Sequence, residues 1–93
     1  MEVNFCVYLL FSEKTNKYYI GKTNNINRRF MEHALGEETY TRTGRPWKLM
    51  STINCPNGSE AAKLENKLKK SRNKKYVKWY FETHGNKMSV STG

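Results

Sequence analysis

The 93-residue chain contains no aspartate, and its eight acids are all glutamate. Two-metal nuclease centres and EF-hand calcium loops draw on clustered aspartates, so both are excluded. Two histidines and two cysteines are too few for a structural zinc site or a three-histidine catalytic one. No glycine-rich dinucleotide turn, phosphate loop or Gly-x-Ser-x-Gly elbow occurs. The longest apolar run, Phe5 to Phe11, is seven residues, far short of the roughly 20 that a membrane-spanning helix needs. Met1-Glu2-Val3-Asn4 lacks the basic region and hydrophobic stretch of a secretory signal. Cys6 lies inside the apolar run and Cys55 precedes Pro56, a usage that suits reduced thiols and a cytoplasmic location.

What the chain does have is cations and rings. Seventeen Lys and Arg against the eight acids leave a net charge of +9, which favours a polyanionic partner, nucleic acid first. Candidate phosphate contacts are Lys22, Arg28, Arg42, Arg45 and Lys48. A surface making six phosphate contacts would bind with an affinity that falls as roughly the fifth power of salt concentration. Hydrophobic residues at 37% support a globular fold, with a thin core because so short a chain buries only about 60–65% of its unfolded surface. Six tyrosines and two tryptophans can stack on bases, although in a small domain most rings belong to the core.

Asn4 to Phe11 reads as a strand with Phe5, Val7, Leu9 and Phe11 on one face and Cys6, Tyr8 and Leu10 on the other. Both faces are apolar, as in a central strand covered on both sides. The polar stretch from Ser12 to Asn16 turns the chain into a second strand, Lys17 to Lys22. Thr23, Asn24 and Asn25 are candidate caps for a helix through Leu35 that Gly36 closes. After a polar loop, Glu37 to Pro46, a third strand is predicted over Trp47 to Ile53, ended by Asn54 to Gly58. Ser59 is expected to cap a helix from Glu60 to about Lys70, with Ala61, Leu64 and Leu68 inward. A last helix starts at Ser71 or Asn73 and runs to about Thr83. The expected fold is α+β, a small three-stranded antiparallel sheet flanked by helices in the order β-β-α-β-α-α. Residues 1–84 form the domain, and 85–93 are expected to fray.

Several residues could carry chemistry. Tyr8 lies on an apolar strand, where a tyrosine usually packs. In Tyr19-Ile20-Gly21-Lys22, a glycine at a strand exit admits a close approach to the backbone, and the next lysine offers a cation to a phosphate. Arg29 and His33, four apart, share one helical face, while Arg28 has Glu32 four residues on as an ion-pair partner. Glu65 is a helical acid beside the inner stripe, with Lys69 as its alternative partner.

Taken in order, these segments resemble the GIY-YIG nuclease superfamily, in particular its short single-domain branch. The resemblance rests on Val7-Tyr8-Leu9-Leu10, Tyr19-Ile20-Gly21-Lys22-Thr23, Asn27-Arg28-Arg29 with Glu32-His33, and Glu65. Tyr40-Thr41-Arg42, Arg45-Pro46-Trp47-Lys48-Leu49 and Ser59-Glu60-Ala61 extend it, so that it covers about Val3 to Tyr80. The first motif keeps its tyrosine but reads Cys6-Val7-Tyr8.

The resemblance implies a DNA endonuclease that hydrolyses phosphodiesters with one divalent cation, Mg²⁺ or Mn²⁺, at Glu65. Tyr8 would act on the attacking water with Tyr19 completing its contacts, and Lys22 would help the phenol ionise. Arg29 would brace the phosphate, and His33 would hold it or protonate the leaving oxygen. Strict alternation puts Tyr19 and Lys22 on opposite faces, so this reading requires a turn near Gly21. The expected partner is DNA, with no membrane and no evident protein partner; repair, restriction and mobile-element roles are all compatible. Two alternatives stand beside the enzyme: a non-catalytic nucleic-acid-binding module that keeps the fold, and a small protein whose basic face meets an acidic partner.

Overall fold

A computed structural model describes residues 4–91. Met1, Glu2 and Val3, on which the reading of the N-terminus rests, and residues 92–93 lie outside the described residues. The elements are β1 (Phe5–Ser12), β2 (Lys17–Thr23), α1 (Ile26–Ala34), β3 (Trp47–Cys55), α2 (Gly58–Lys70), α3 (Lys74–His84) and β4 (Asn86–Ser91). One turn of 3-10 helix, Arg42–Gly44, interrupts the loop before β3. The strands form one antiparallel sheet in the order β2-β1-β3-β4. No helix among the described residues is long and apolar enough to cross a membrane.

The two apolar faces of β1 each bury a cluster. Val7 and Leu9 join Ile20, Ile53, Ala61, Leu68, Val77 and Phe81, so α2 and α3 cover that face. Tyr8 and Leu10 join Phe30, Trp47 and Leu49 on the face that α1 covers. Cys6 and Cys55 are buried free thiols. Asparagine side chains start all three helices by accepting a backbone N–H three residues on: Asn25 from Arg28, Asn57 from Glu60, and Asn73 from Tyr76. The second of these displaces the expected cap at Ser59, because α2 begins at Gly58, two residues before the expected start at Glu60. Gly36 closes α1 as expected, with a φ of 76° that favours glycine.

A fourth strand departs from the sequence reading. Asn86–Ser91 pairs antiparallel with β3, with Thr52 opposite Asn86 and Lys48 opposite Ser91. Small polar residues give weak strand signals, but an open edge of β3 offers unpaired N–H and C=O groups to any chain that can reach them. The Ser51 hydroxyl adds bonds to the carbonyls of Phe81 and Asn86, tying the end of α3 to the start of β4.

Ending the chain at Gly85 should therefore uncover the β3 edge. The truncated protein is expected to unfold at lower urea and to self-associate in sedimentation; a frayed tail would be lost without either effect.

Candidate functional site

The site is built around the phenol of Tyr8, which is 1% exposed. Across the sheet Tyr8 pairs with Gly21, and its ring lies over that residue so closely that a Cβ on Gly21 would collide with it. The close approach that a glycine permits here is thus filled from within the chain. The strand does not turn at this glycine. β2 runs on to Thr23, so Lys22 stands opposite Val7, on the other face from Tyr8 and Tyr19, and drops out of the group around Tyr8.

Helix α1 completes the group, because four-residue spacing puts Arg29 and His33 on the side facing the phenol. The Tyr8 hydroxyl is 2.9 Å from His33 Nε2, and Arg29 Nε donates to the same oxygen at 3.3 Å. His33, also fully buried, sets its Nδ1 2.7 Å from Thr41 Oγ1. Thr41 Oγ1 donates to the Glu38 carbonyl at 3.4 Å, and Trp47 Nε1 donates to the Thr41 carbonyl at 2.7 Å. These contacts fit one assignment of the hydrogens. With its own proton directed at Glu38, Thr41 Oγ1 would accept from His33 Nδ1–H. Nε2 is then bare and accepts the Tyr8 proton, while the phenol oxygen accepts from Arg29, which can only donate.

The electrostatics set the charge states of these groups. Burial, helped by the Arg29 charge, lowers the His33 pKa to about 4, only partly opposed by Glu38 and Glu32. Burial also raises the Tyr8 phenol well above its usual range; Arg29 opposes this, and the charges of Tyr19 and Glu65 add to it. Both rings are therefore neutral near pH 7. Burial works against the Arg29 charge, but its bonds to Tyr8 and Glu38 outweigh that and hold the guanidinium protonated. Its Nη2 meets Glu38 Oε2 at 3.0 Å and its Nη1 meets Glu32 Oε1 at 3.6 Å. Arg29, not Arg28, takes the Glu32 partner, and Arg28 is exposed. Arg29 and the Tyr40 N–H hold the Glu38 carboxyl below the usual carboxylate range.

Tyr19 forms the outer wall. Its ring is 5.1 Å from His33, 5.8 Å from Tyr40, 6.3 Å from Tyr8 and 6.4 Å from Trp47. Because β2 is the edge strand, side chains of α2 on the opposite face can reach round it. Lys69 Nζ stands 5.7 Å from the centre of the Tyr19 ring and 3.5 Å from Glu65 Oε2. Glu65, with its side chain 15% exposed, thus stands one ion pair away from Tyr19, and its charge is felt at Tyr8. A cleft of about 730 Å³ opens beside Tyr19 and Tyr40, bounded by Lys17, Lys69, Arg72 and Lys74.

The remaining basic candidates do not share one patch. Arg42 donates to the Gly36 carbonyl at 2.8 Å and Arg45 to the Arg42 carbonyl at 3.1 Å, both in the loop after α1. Lys48 lines a different cavity with Met50, Lys78 and Phe81. Sequence reasoning missed Glu38, Thr41 and Lys69 as members of the site. Thr41 lies within the Tyr40-Thr41-Arg42 motif segment, and in sequence Lys69 reads only as a partner for Glu65.

Residues 4–77 match the family model of the GIY-YIG catalytic domain. The chain belongs to that family. Among its relatives, it is similar to UPF0213 protein BH0048 of Halalkalibacterium halodurans, 37% identical over 75 residues, which are 78% of this chain and 79% of that one. It is also similar to UPF0213 protein XAC3202 of Xanthomonas axonopodis pv. citri, 31% identical over 74 residues, 78% and 72% of the two chains. The GIY-YIG match makes this a nuclease-family domain, and it contains every residue of the group around Tyr8, whereas β4 lies beyond it.

The buried imidazole has a consequence for stability. Between about pH 6.5 and 4 the unfolded chain binds a proton on His33 that the folded chain refuses. This contribution is complete above about pH 6.5 and is lost as pH falls toward 4, by up to about 3 kcal/mol. Urea midpoints should drop from neutral to acid pH, and His33→Gln should remove most of the drop. An equal drop in both proteins would contradict the buried neutral imidazole.

Proposed function

We propose that this GIY-YIG domain is a metal-dependent DNA endonuclease. The observation that carries the reading is the convergence of Tyr8, Tyr19, Arg29 and His33, with Glu65 one ion pair away across the edge of the sheet. Among the described residues no three or more His, Cys, Asp or Glu side chains cluster to share an ion. A lone half-buried carboxylate fits a hard divalent cation such as Mg²⁺ or Mn²⁺, which needs only one or two protein carboxylates beside waters and phosphate oxygens. Glu65 would hold it after release from Lys69, and the bound cation would supply positive charge opposite the phosphate oxygens.

The protein's own groups handle the proton and the phosphate. The Tyr8 oxygen gives its proton to Nε2 of His33 and has a lone pair left beside the one that Arg29 occupies. As a water attacks phosphorus, that oxygen accepts the water's proton while the phenol proton moves to His33. The resulting imidazolium holds that proton until it passes back to the phenol and the phenol releases one to solvent, while the leaving oxygen, on the far side of phosphorus, takes its proton from a water. His33 is thereby a proton store behind Tyr8 and does not touch phosphate. Thr41 keeps Nε2 free for the task.

Arg29 braces the phosphate in this reading, at the edge of the guanidinium where Glu38 sits. Glu38 occupies the outer edge of the guanidinium as a carboxylate, and a phosphate that replaces it gains a two-pronged contact. As attack adds negative charge to that phosphate, it also favours the imidazolium that Arg29 otherwise opposes. Glu38 thus competes with substrate for Arg29.

Nicking of supercoiled plasmid at low salt with Mg²⁺ tests the reading. Glu65→Ala, Arg29→Ala and Tyr8→Phe are each expected to slow nicking by about 10²–10³-fold, and Tyr8→Phe keeps the ring over Gly21. Glu38→Gln should lower KM. Salt-sensitive binding without Mg²⁺-restored cleavage would instead favour a non-catalytic binding module.

A further inference from the structure

Helix α3 carries a second set of rings that the group around Tyr8 does not use. Val77 and Phe81 turn into the core, which leaves Tyr76, Trp79, Tyr80 and His84 along its flank. Trp79 is 53% exposed, and Tyr76 and Tyr80 are half-buried, their inner edges packed on the core. The rings are in mutual contact: Tyr76 to Trp79 6.0 Å, Tyr76 to Tyr80 6.1 Å, Trp79 to Tyr80 6.4 Å, and Tyr80 to His84 4.4 Å between centres. The eight steps of helix from Tyr76 to His84, at about 1.5 Å each, make a strip roughly 12 Å long.

The surroundings of the strip select its partner. Lys67 of α2 holds its Nζ 5.1 Å above the Tyr80 ring, and exposed Lys75 shares a helical face with Trp79 at four-residue spacing. The only acid of α3, Glu82, is 4.0 Å from Lys78. A hydrophobic protein partner would have to desolvate these ammonium groups, which is costly. A duplex offers phosphates but keeps its base faces stacked inside. An unpaired strand offers both phosphates to the lysines and flat base faces to the rings.

We infer that the α3 flank, centred on Trp79 with Tyr76, Tyr80 and Lys67, binds single-stranded nucleic acid by stacking of unpaired bases. None of these side chains belongs to the group around Tyr8, and the test requires no cleavage.

Trp79 is the reporter, since Trp47 is buried. Oligo-dT and oligo-U of about 15 nucleotides, titrated in EDTA at about 50 mM salt, are expected to quench the tryptophan emission, and the two arms separate DNA from RNA. An abasic oligomer of equal length and a duplex should quench far less. Trp79→Ala should weaken oligo-dT binding by anisotropy about five- to a hundredfold, Trp79→Phe should restore most of it, and circular dichroism should show both variants folded. Lys67→Gln should lower the salt slope by about 0.7.

Equal affinity of wild type and Trp79→Ala, or equal quenching by the abasic strand, would overturn the inference. So would an acidic peptide that quenches as strongly as oligo-dT. None of these results bears on plasmid nicking, and loss of nicking in Glu65→Ala leaves the stacking surface untouched.

Discussion

The organisation of the site follows from one hydroxyl group. Tyr8 is buried in the middle of a sheet, and a phenol there must have partners or destabilise the fold. Both are supplied by α1: His33 Nε2 as acceptor and Arg29 Nε as donor. Gly21 is then needed on the neighbouring strand, because any larger residue would displace the ring. Thr41 is needed in the loop, because without an acceptor on Nδ1 the imidazole has no reason to leave Nε2 bare. Trp47 in turn fixes the Thr41 backbone. No buried side-chain nitrogen or oxygen among the described residues lacks a partner, and a fully satisfied polar network of this kind is rigid.

Sheet topology turns this buried network into something a substrate can reach. β2 is an edge strand, so Tyr19 borders solvent on one side and His33 on the other. The same edge lets α2, which packs on the opposite face, bring Lys69 and Glu65 round to the tyrosines. A central β2 would have kept the carboxylate and the phenols in separate layers.

Much of this was legible in the sequence, for definable reasons. The two apolar faces of β1 announced a central strand, and i, i+4 spacing placed Arg29 with His33. Asn25 and Asn73 were readable as caps because their side chains act on the next three residues. What escaped depends on contacts distant in sequence. β4 has little apolar content and exists because β3 has an edge to fill. Glu38 and Thr41 sit in a loop with no periodicity, where only folding shows that they meet Arg29 and His33. Lys22 followed simple alternation, and the turn required to bring it to Tyr8 is not made, because Gly21 accommodates a ring without bending the strand.

The claim on which this account rests is the direction of the bonds along Thr41, His33 and Tyr8. Imidazole ¹⁵N shifts and long-range ¹H–¹⁵N couplings at neutral pH report it directly. A neutral ring with its proton on Nδ1 and an unprotonated, hydrogen-bonded Nε2 is the result expected for His33. A proton on Nε2, or a doubly protonated ring, would reverse the direction and remove the acceptor from behind Tyr8.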